Sequence, residues 1–382
     1  MELFDVYPLY DITPVKGDGC YVFDENGKKY LDLYGGHAVI SVGHAHPEYV
    51  KAIQDQVAKL GFYSNSIKNP LQQELADKLE KISGIKDYSL FLCSSGAEAN
   101  ENALKVASFQ TGKDRVIYFE NAFHGRTSGV VAITDNESIK APFNNFHKVT
   151  KLAFNDTESL KMEIEKGNVA AVIFEVIQGV GGLDEAEADF YKRAAELCKE
   201  NKVMLITDEV QSGYGRTGDF FAFQKHGIRP DIITMAKGMG NGFPTGGILI
   251  DNHIPPKYGM LGTTFGGNHL ACAAGISVLN IIKEENLMEN AAIVSEFVMA
   301  EASKISEIKK IKGRGLMIGL EFDFEIAALR KELLFEHQIF TGASSNKKLL
   351  RILPPLNIKK EHFEIFFETL KKVLKNQVTR SS

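Results

Sequence analysis

The sequence predicts an α/β protein: a large central domain with a mostly parallel seven-stranded sheet between helices, and a smaller α+β domain made from both termini. Three observations predict it. Short apolar runs alternate with longer amphipathic segments through the middle of the chain, the pattern of strands joined by crossover helices. The two ends read instead as a hairpin and as long helical stretches. The 382 residues, 44% of them hydrophobic, suffice for two domains and a well-buried core. The expected divisions are 1–49 and 270–382 for the smaller domain and 50–269 for the larger.

Taken in order, Cys20 to Leu33 reads as a hairpin turning at Asn26-Gly27. The expected sheet strands are Tyr88-Ser94, Arg115-Phe119, Lys148-Ala153, Ala170-Ile177, Met204-Asp208, Asp231-Ala236 and Gly247-Ile250. Between the first two, Ala99, Ala103, Val106 and Ala107 recur at helical spacing and predict a helix packed on the sheet. Beyond about residue 270 come a long helical stretch, a turn at Gly313-Arg-Gly315, a strand over Leu316-Phe322 and a last helix. That helix places Phe363, Phe366, Phe367, Leu370, Val373 and Leu374 on one face, which is core packing.

Composition narrows the function. A net charge of -5 argues against nucleic acid, whose polyanionic backbone needs a basic face. No apolar stretch approaches the roughly 18 residues that span a bilayer, and the start lacks a basic segment followed by an apolar core. Cys20, Cys93, Cys198 and Cys272 are scattered without a C-x-x-C pair. A reduced, cytoplasmic protein without membrane partners is therefore expected.

The chemistry gathers at strand ends. Lys237 follows the apolar run Asp231-Ala236, and Asp208 ends the run Val203-Thr207. A lysine able to form a Schiff base and an aspartate able to keep a pyridine nitrogen protonated are the pair that pyridoxal phosphate chemistry requires. In Ser94-Ser-Gly-Ala97 a strand gives way to a helix, so Ser95, Gly96 and Ala97 either cradle a phosphate or simply cap the helix. Phe123 and Arg126 follow another strand, as a ring-stacking residue and a carboxylate clamp or as a core Phe and a surface Arg. After Asp208, Val210 is placed to face the ring and Gln211 its phenolic oxygen. No third ligand follows the Asp208-Glu209 pair at metal spacing, and His44 and His46 fit a turn ended by Pro47; no metal is expected. The glycines after Lys237 lack the G-x-G-x-x-G spacing of a dinucleotide site. Thr263 and Thr264 offer hydroxyls for a phosphate, and Arg351, before Pro354-Pro355, a second carboxylate anchor.

Together these segments resemble the class III aminotransferases, nearest the acetylornithine (or succinylornithine) aminotransferase group. The likeness runs from Pro14-Val-Lys-Gly17 and Gly43-His-Ala-His-Pro47 through Ser95-Gly-Ala-Glu-Ala-Asn100 and Ala122-Phe-His-Gly-Arg-Thr127. It continues over Asp208-Glu-Val-Gln-Ser-Gly-Tyr-Gly-Arg-Thr-Gly218, Ala236-Lys-Gly238 and Thr263-Thr-Phe-Gly-Gly-Asn268 to Leu270-Ala-Cys-Ala-Ala274. It implies the aspartate aminotransferase-like fold type I, with pyridoxal 5'-phosphate bound in the large domain. It also implies Lys237 as the cofactor lysine, Asp208 as the pyridinium partner, Gly96 and Ala97 on the phosphate, and Phe123 stacked on the ring. Arg126 would bind the donor's α-carboxylate. Thr264 would reach the phosphate, and Thr263 the substrate, in the neighbouring subunit of a homodimer. The implied reaction, part of arginine biosynthesis, moves the δ-amine of an N-acylornithine (acetyl or succinyl) to 2-oxoglutarate, leaving N-acylglutamate 5-semialdehyde and glutamate.

Two positions depart from the family pattern. In Glu175-Val-Ile-Gln-Gly-Val-Gly-Gly182, Val180 stands where relatives carry a glutamate thought to mask the arginine matching Arg351. Arg351 is accordingly expected to be unmasked here or to have another partner. His37 falls where ornithine δ-aminotransferases carry a pocket Tyr, which favours acylated over free ornithine. The rival readings are an ornithine, 4-aminobutyrate or other ω-amine aminotransferase, an aminomutase, and a non-catalytic cofactor-binding module.

Overall fold

Each apolar run of the central segment forms a strand, and the seven assemble into one sheet. The computed structural model describes residues 1–381, with side chains through Asn376. In chain order the strands are β1 (Pro14–Asp18), β2 (Tyr21–Asp24), β3 (Lys29–Asp32), β4 (Tyr88–Cys93), β5 (Arg115–Phe119), β6 (Lys148–Leu152), β7 (Val169–Phe174), β8 (Met204–Asp208), β9 (Ile232–Met235), β10 (Gly246–Asp251), β11 (Lys310–Arg314), β12 (Met317–Glu321), β13 (Ile339–Phe340) and β14 (Leu349–Ile352). The large sheet has the order β4-β10-β9-β8-β7-β5-β6. Only β10 runs against its neighbours; the pairs β5/β6, β5/β7, β7/β8 and β8/β9 are parallel. β7 and β8 are buried at every position, which is why they read as continuous apolar runs rather than as alternating ones.

The helix Gly96–Thr111 packs on this sheet through Ala99, Ala103, Val106 and Ala107. Small residues there let the helix axis lie close to the strands. One polar residue, Asn100, shares that buried face.

A second sheet joins the two ends of the chain, in the order β1-β2-β3-β13. β2 and β3 form the expected hairpin, with Gly27 at φ 77° in its turn, and β13 adds in parallel to β3. A third, antiparallel sheet has the order β11-β12-β14. Here the turn lies one step later than the sequence suggested: Gly313 and Arg314 belong to β11, and Arg314 pairs with Met317 across Gly315-Leu316. The stretch after residue 270 is two helices, His269–Glu284 and Leu287–Ala302, broken where Asn286 turns left-handed at φ 51°. The last helix, Lys360–Ser381, buries the six apolar residues expected of it. Among the described residues no helix is long and apolar enough to cross a membrane, and all four cysteines are free and buried.

Candidate active site

The parallel strands all end on the same edge of the sheet, and their trailing residues line one cavity of about 420 Å³. This is the edge where open α/β sheets build sites, because strand ends and helix starts converge there. β4 supplies Ser95, Gly96 and Ala97; β5 supplies Phe123 and Arg126; β7 supplies Glu175 and Val180; β8 supplies Asp208, Val210 and Gln211; β9 supplies Lys237. Nine of the thirteen residues singled out from sequence therefore meet in one place.

Both readings of Ser95 hold at once. Its hydroxyl caps the helix by accepting the Glu98 N–H at 3.2 Å. Gly96 and Ala97 are then the first two helical residues, whose N–H groups have no carbonyl one turn back and face an anion with the positive end of the dipole. Gly96 also sits where a Cβ would come within 2.7 Å of the Val210 side chain, so only glycine allows the helix to start against that residue.

Asp208 is buried and strongly held. Its Oδ2 meets His124 Nδ1 at 2.7 Å and accepts from Asn100 Nδ2 at 2.8 Å, while Oδ1 accepts the Val210 N–H at 3.0 Å. Burial alone pushes its carboxyl up; the His124 contact, with Val210 and Asn100, outweighs burial and holds it below the usual range. Asp208 is thus a carboxylate fixed as an anion beneath the cavity. Its neighbour Glu209 points elsewhere: it accepts from the Ser212 hydroxyl and from the N–H groups of Ala222 and Phe223. The two adjacent carboxylates thus have separate sets of partners.

Lys237 stands in a left-handed conformation at φ 43°, strain of a kind concentrated at functional sites. Burial lowers its amine below the ordinary lysine value, against the pull of Asp208 and Glu175. A lysine shifted this way gains the free-base form that nucleophilic and proton-transfer work requires.

The other four predicted residues lie off the cavity wall. Arg351 is 3% exposed and sits behind Gly179, donating Nη1 to its carbonyl at 2.6 Å and Nη2 to Tyr34 Oη at 3.1 Å. The expected alternative partner is thus a tyrosine. His37 is exposed, contacts Tyr34 Oη through Nδ1, and accepts Gln211 Nε2 on its backbone carbonyl at 3.2 Å. Thr263 and Thr264 lie on a separate segment, with Thr264 exposed and the Thr263 carbonyl accepting from Asn65. His44 and His46 pair with Asp32 and Glu285 respectively.

Four residues escaped the sequence reading. Asn100 and His124 brace Asp208, Tyr34 holds Arg351, and Glu175 accepts the N–H groups of Phe123 and Gly179, both at 2.9 Å. Burial raises the Glu175 carboxyl to about 7. Only Asn100 carried a signal: it is the polar member of an alanine stripe.

The residues present fit pyridoxal phosphate. An amine, an anionic carboxylate and a helix start face one cavity, and the buried Gln211 Oε1 and Thr245 Oγ1 on its wall have no partner among the described residues.

Comparison with known proteins agrees. The model of the family described as aminotransferase class-III matches residues 6–374. The chain is 39% identical to the acetylornithine aminotransferase of Bacillus subtilis, over 98% of this chain and 97% of that one. The same identity relates it to the acetylornithine aminotransferase of Archaeoglobus fulgidus, over 94% of each. Among solved structures, the ornithine aminotransferase of Toxoplasma gondii, described with pyridoxal phosphate at its active site, superposes with a TM-score of 0.88 at 29% identity, covering 98% of this chain and 93% of that one. Matched along nearly its whole length, and with a site that fits the cofactor, the chain belongs to the class III aminotransferases, enzymes that depend on pyridoxal phosphate.

Proposed function

We propose that the enzyme moves the δ-amine of an N2-acylornithine, acetyl or succinyl, to 2-oxoglutarate. The observation that carries this reading is the pair of separately placed guanidinium groups, Arg126 exposed at the cavity and Arg351 buried behind Gly179. Two carboxylate anchors suit a reaction whose amino donor and acceptor differ in length. Relatives named acetylornithine aminotransferase, matched end to end, support the choice of donor.

Pyridoxal phosphate, when bound, supplies the electron sink for the pair left behind when a proton leaves the amine-bearing carbon. Asp208, kept anionic by His124 and Asn100, would hold the proton on the ring nitrogen. Phe123 and Val210 would enclose the ring, and Gly96 and Ala97 would bind the phosphate through their N–H groups. Lys237 Nζ would hold the cofactor and would move the proton off the donor's δ-carbon. Arg126 binds the donor's α-carboxylate; Arg351 anchors the second carboxylate that 2-oxoglutarate brings. The assembly is a homodimer in which the partner subunit brings the Thr263-Thr264 segment to the phosphate. The exposed Thr264 and Phe265 on that segment support this arrangement.

The test is single-turnover bleaching of the cofactor's absorbance band with N-acetylornithine, N-succinylornithine, ornithine and 4-aminobutyrate in parallel. An acylornithine is expected to bleach it fastest. Free ornithine or 4-aminobutyrate reacting faster than both acylated donors overturns the reading.

A further inference from the structure

Arg351 forms no ion pair among the described residues; its only side-chain partner is a neutral phenol, Tyr34 Oη. The edge of a guanidinium made by Nε and Nη2 is one that grips a carboxylate with two parallel hydrogen bonds. On Arg351 that edge is half occupied: Nη2 donates to Tyr34, while the buried Nε has no partner among the described residues. Val180, on the adjoining cavity wall, brings no carboxylate to it.

The phenol is held there by backbone design. Gly342 and Arg351 exchange both backbone hydrogen bonds, at 2.8 and 3.0 Å. A Cβ on Gly342 would come within 2.2 Å of the Tyr34 ring. The one glycine thus lets the ring lie beside the guanidinium of its bridge partner. The Tyr34 hydroxyl reaches on to His37 Nδ1. His37 is the third of four successive residues with positive φ, from Gly35 to Ala38, a conformation that His37 and Ala38 adopt only under strain.

We propose that Tyr34 and His37 form a neutral latch on Arg351 that an incoming dicarboxylate displaces, making them positioning residues that set affinity for the acceptor's second carboxylate. This rests on the reading that Arg351 takes that carboxylate. A phenol satisfies one N–H without cancelling the positive charge, so the closed site still attracts an anion. In the latch Arg351 donates to Tyr34, Tyr34 donates to Nδ1 of His37, and His37 is neutral with its proton on Nε2. A protonated His37 cannot accept, and two cations would then flank one phenol. Acid therefore opens the latch.

The charged and titratable groups around it are Asp32 on β3, Glu175 after β7, Lys237 after β9, Arg330 on the helix Ala327–Phe335, and Arg351 itself. Burial, with Arg351 and Lys237, holds His37 below the ordinary histidine value of 6.5. Glu175 titrates near 7 and adds its own pH dependence, which a comparison of variants subtracts.

The experiment is calorimetric titration of the holoenzyme with glutarate, an unreactive dicarboxylate, from pH 5.5 to 8. Tyr34→Phe is expected to tighten glutarate about 5-fold at pH 8, the worth of one displaced hydrogen bond. His37→Gln should bind as wild type does at pH 8 but lose the extra tightening that wild type gains below pH 6.5. Arg351→Gln should lose about 10²-fold. Unchanged or weaker binding by Tyr34→Phe, with Arg351→Gln impaired, overturns the latch and spares the function. Wild-type binding by Arg351→Gln overturns the reading beneath it. Should Tyr34→Phe fail to fold, a His37→Gln profile that superimposes on wild type is sufficient to reject the latch.

Discussion

Two regions meet at the cavity, and they are built on different principles. The floor, with Gly96, Asp208 and Lys237, is made of residues that end strands of one sheet or come within three positions of their ends. The wall behind Gly179 is made by segments some three hundred residues apart, Tyr34 to Ala38 and Gly342 to Arg351, joined through the β3/β13 pairing and the Gly342–Arg351 bridge. In the floor a residue's place is set by its distance from the end of a strand. In the wall it depends on how the two ends of the chain assemble. On the proposed function the floor carries the chemistry, and the wall sets how the acceptor is held.

The sharpest way to break the comparison is at Lys237. On the proposed function, replacing it by alanine removes the amine that holds the cofactor and moves the proton, and turnover should fall by at least about 10³-fold. Its measurement is steady-state transamination with an acylornithine and 2-oxoglutarate. A Lys237→Ala protein working at the wild-type rate would show that the floor is not the catalytic centre.

A smaller effect is expected one layer down, at His124. It is 2% exposed and meets Asp208 at 2.7 Å. His124→Phe deletes a hydrogen bond to a buried charge, and the Asp208 carboxyl should rise as burial takes over. Cofactor affinity should then drop about 10- to 100-fold, the range for a bond to a charged group, as read by fluorescence titration of the apoenzyme with pyridoxal phosphate. Unaltered affinity would mean that Asn100 and the Val210 N–H suffice to hold the carboxylate.

These two experiments also mark how far the sequence is readable. Lys237 and Asp208 are legible because a polar residue at the end of an apolar run has little choice but to face the sheet edge. All seven strands of the large sheet are visible for the same reason. His124 is hidden, since nothing in Phe123-His-Gly-Arg126 says which side chain turns inward. The four left-handed residues from Gly35 to Ala38 are hidden because two of them are not glycine. Arg351 is recognisable as an arginine worth watching, but its partner Tyr34 lies 317 positions away, and only the assembled β3, β13 and β14 put them together.

The smallest effect sharpens the contrast within a single dipeptide. Asp208 and Glu209 are adjacent buried carboxylates shifted in opposite directions. Asp208 is braced by an imidazole and an amide, whereas burial raises Glu209 to about 7 despite Ser212 and the N–H groups of Ala222 and Phe223. A raised folded value means that the native protein holds the proton more tightly than the unfolded chain. The stability Glu209 contributes is therefore fully present below its ordinary 4.5 and is lost as pH rises through about 7. Glu209→Gln cannot ionise, but its amide places a donor where the N–H groups need an acceptor, a cost of about 1–3 kcal/mol at every pH. Thermal melts at a fixed cofactor concentration should therefore show the variant less stable at pH 5, with the gap to wild type narrowing toward pH 8. Turnover at neutral pH should change little, because Glu209 faces the Ala222–His226 turn and not the cavity. A gap that stays constant from pH 5 to 8 would mean that Glu209 keeps one protonation state throughout, and the opposition between the two carboxylates would then rest on hydrogen bonding alone.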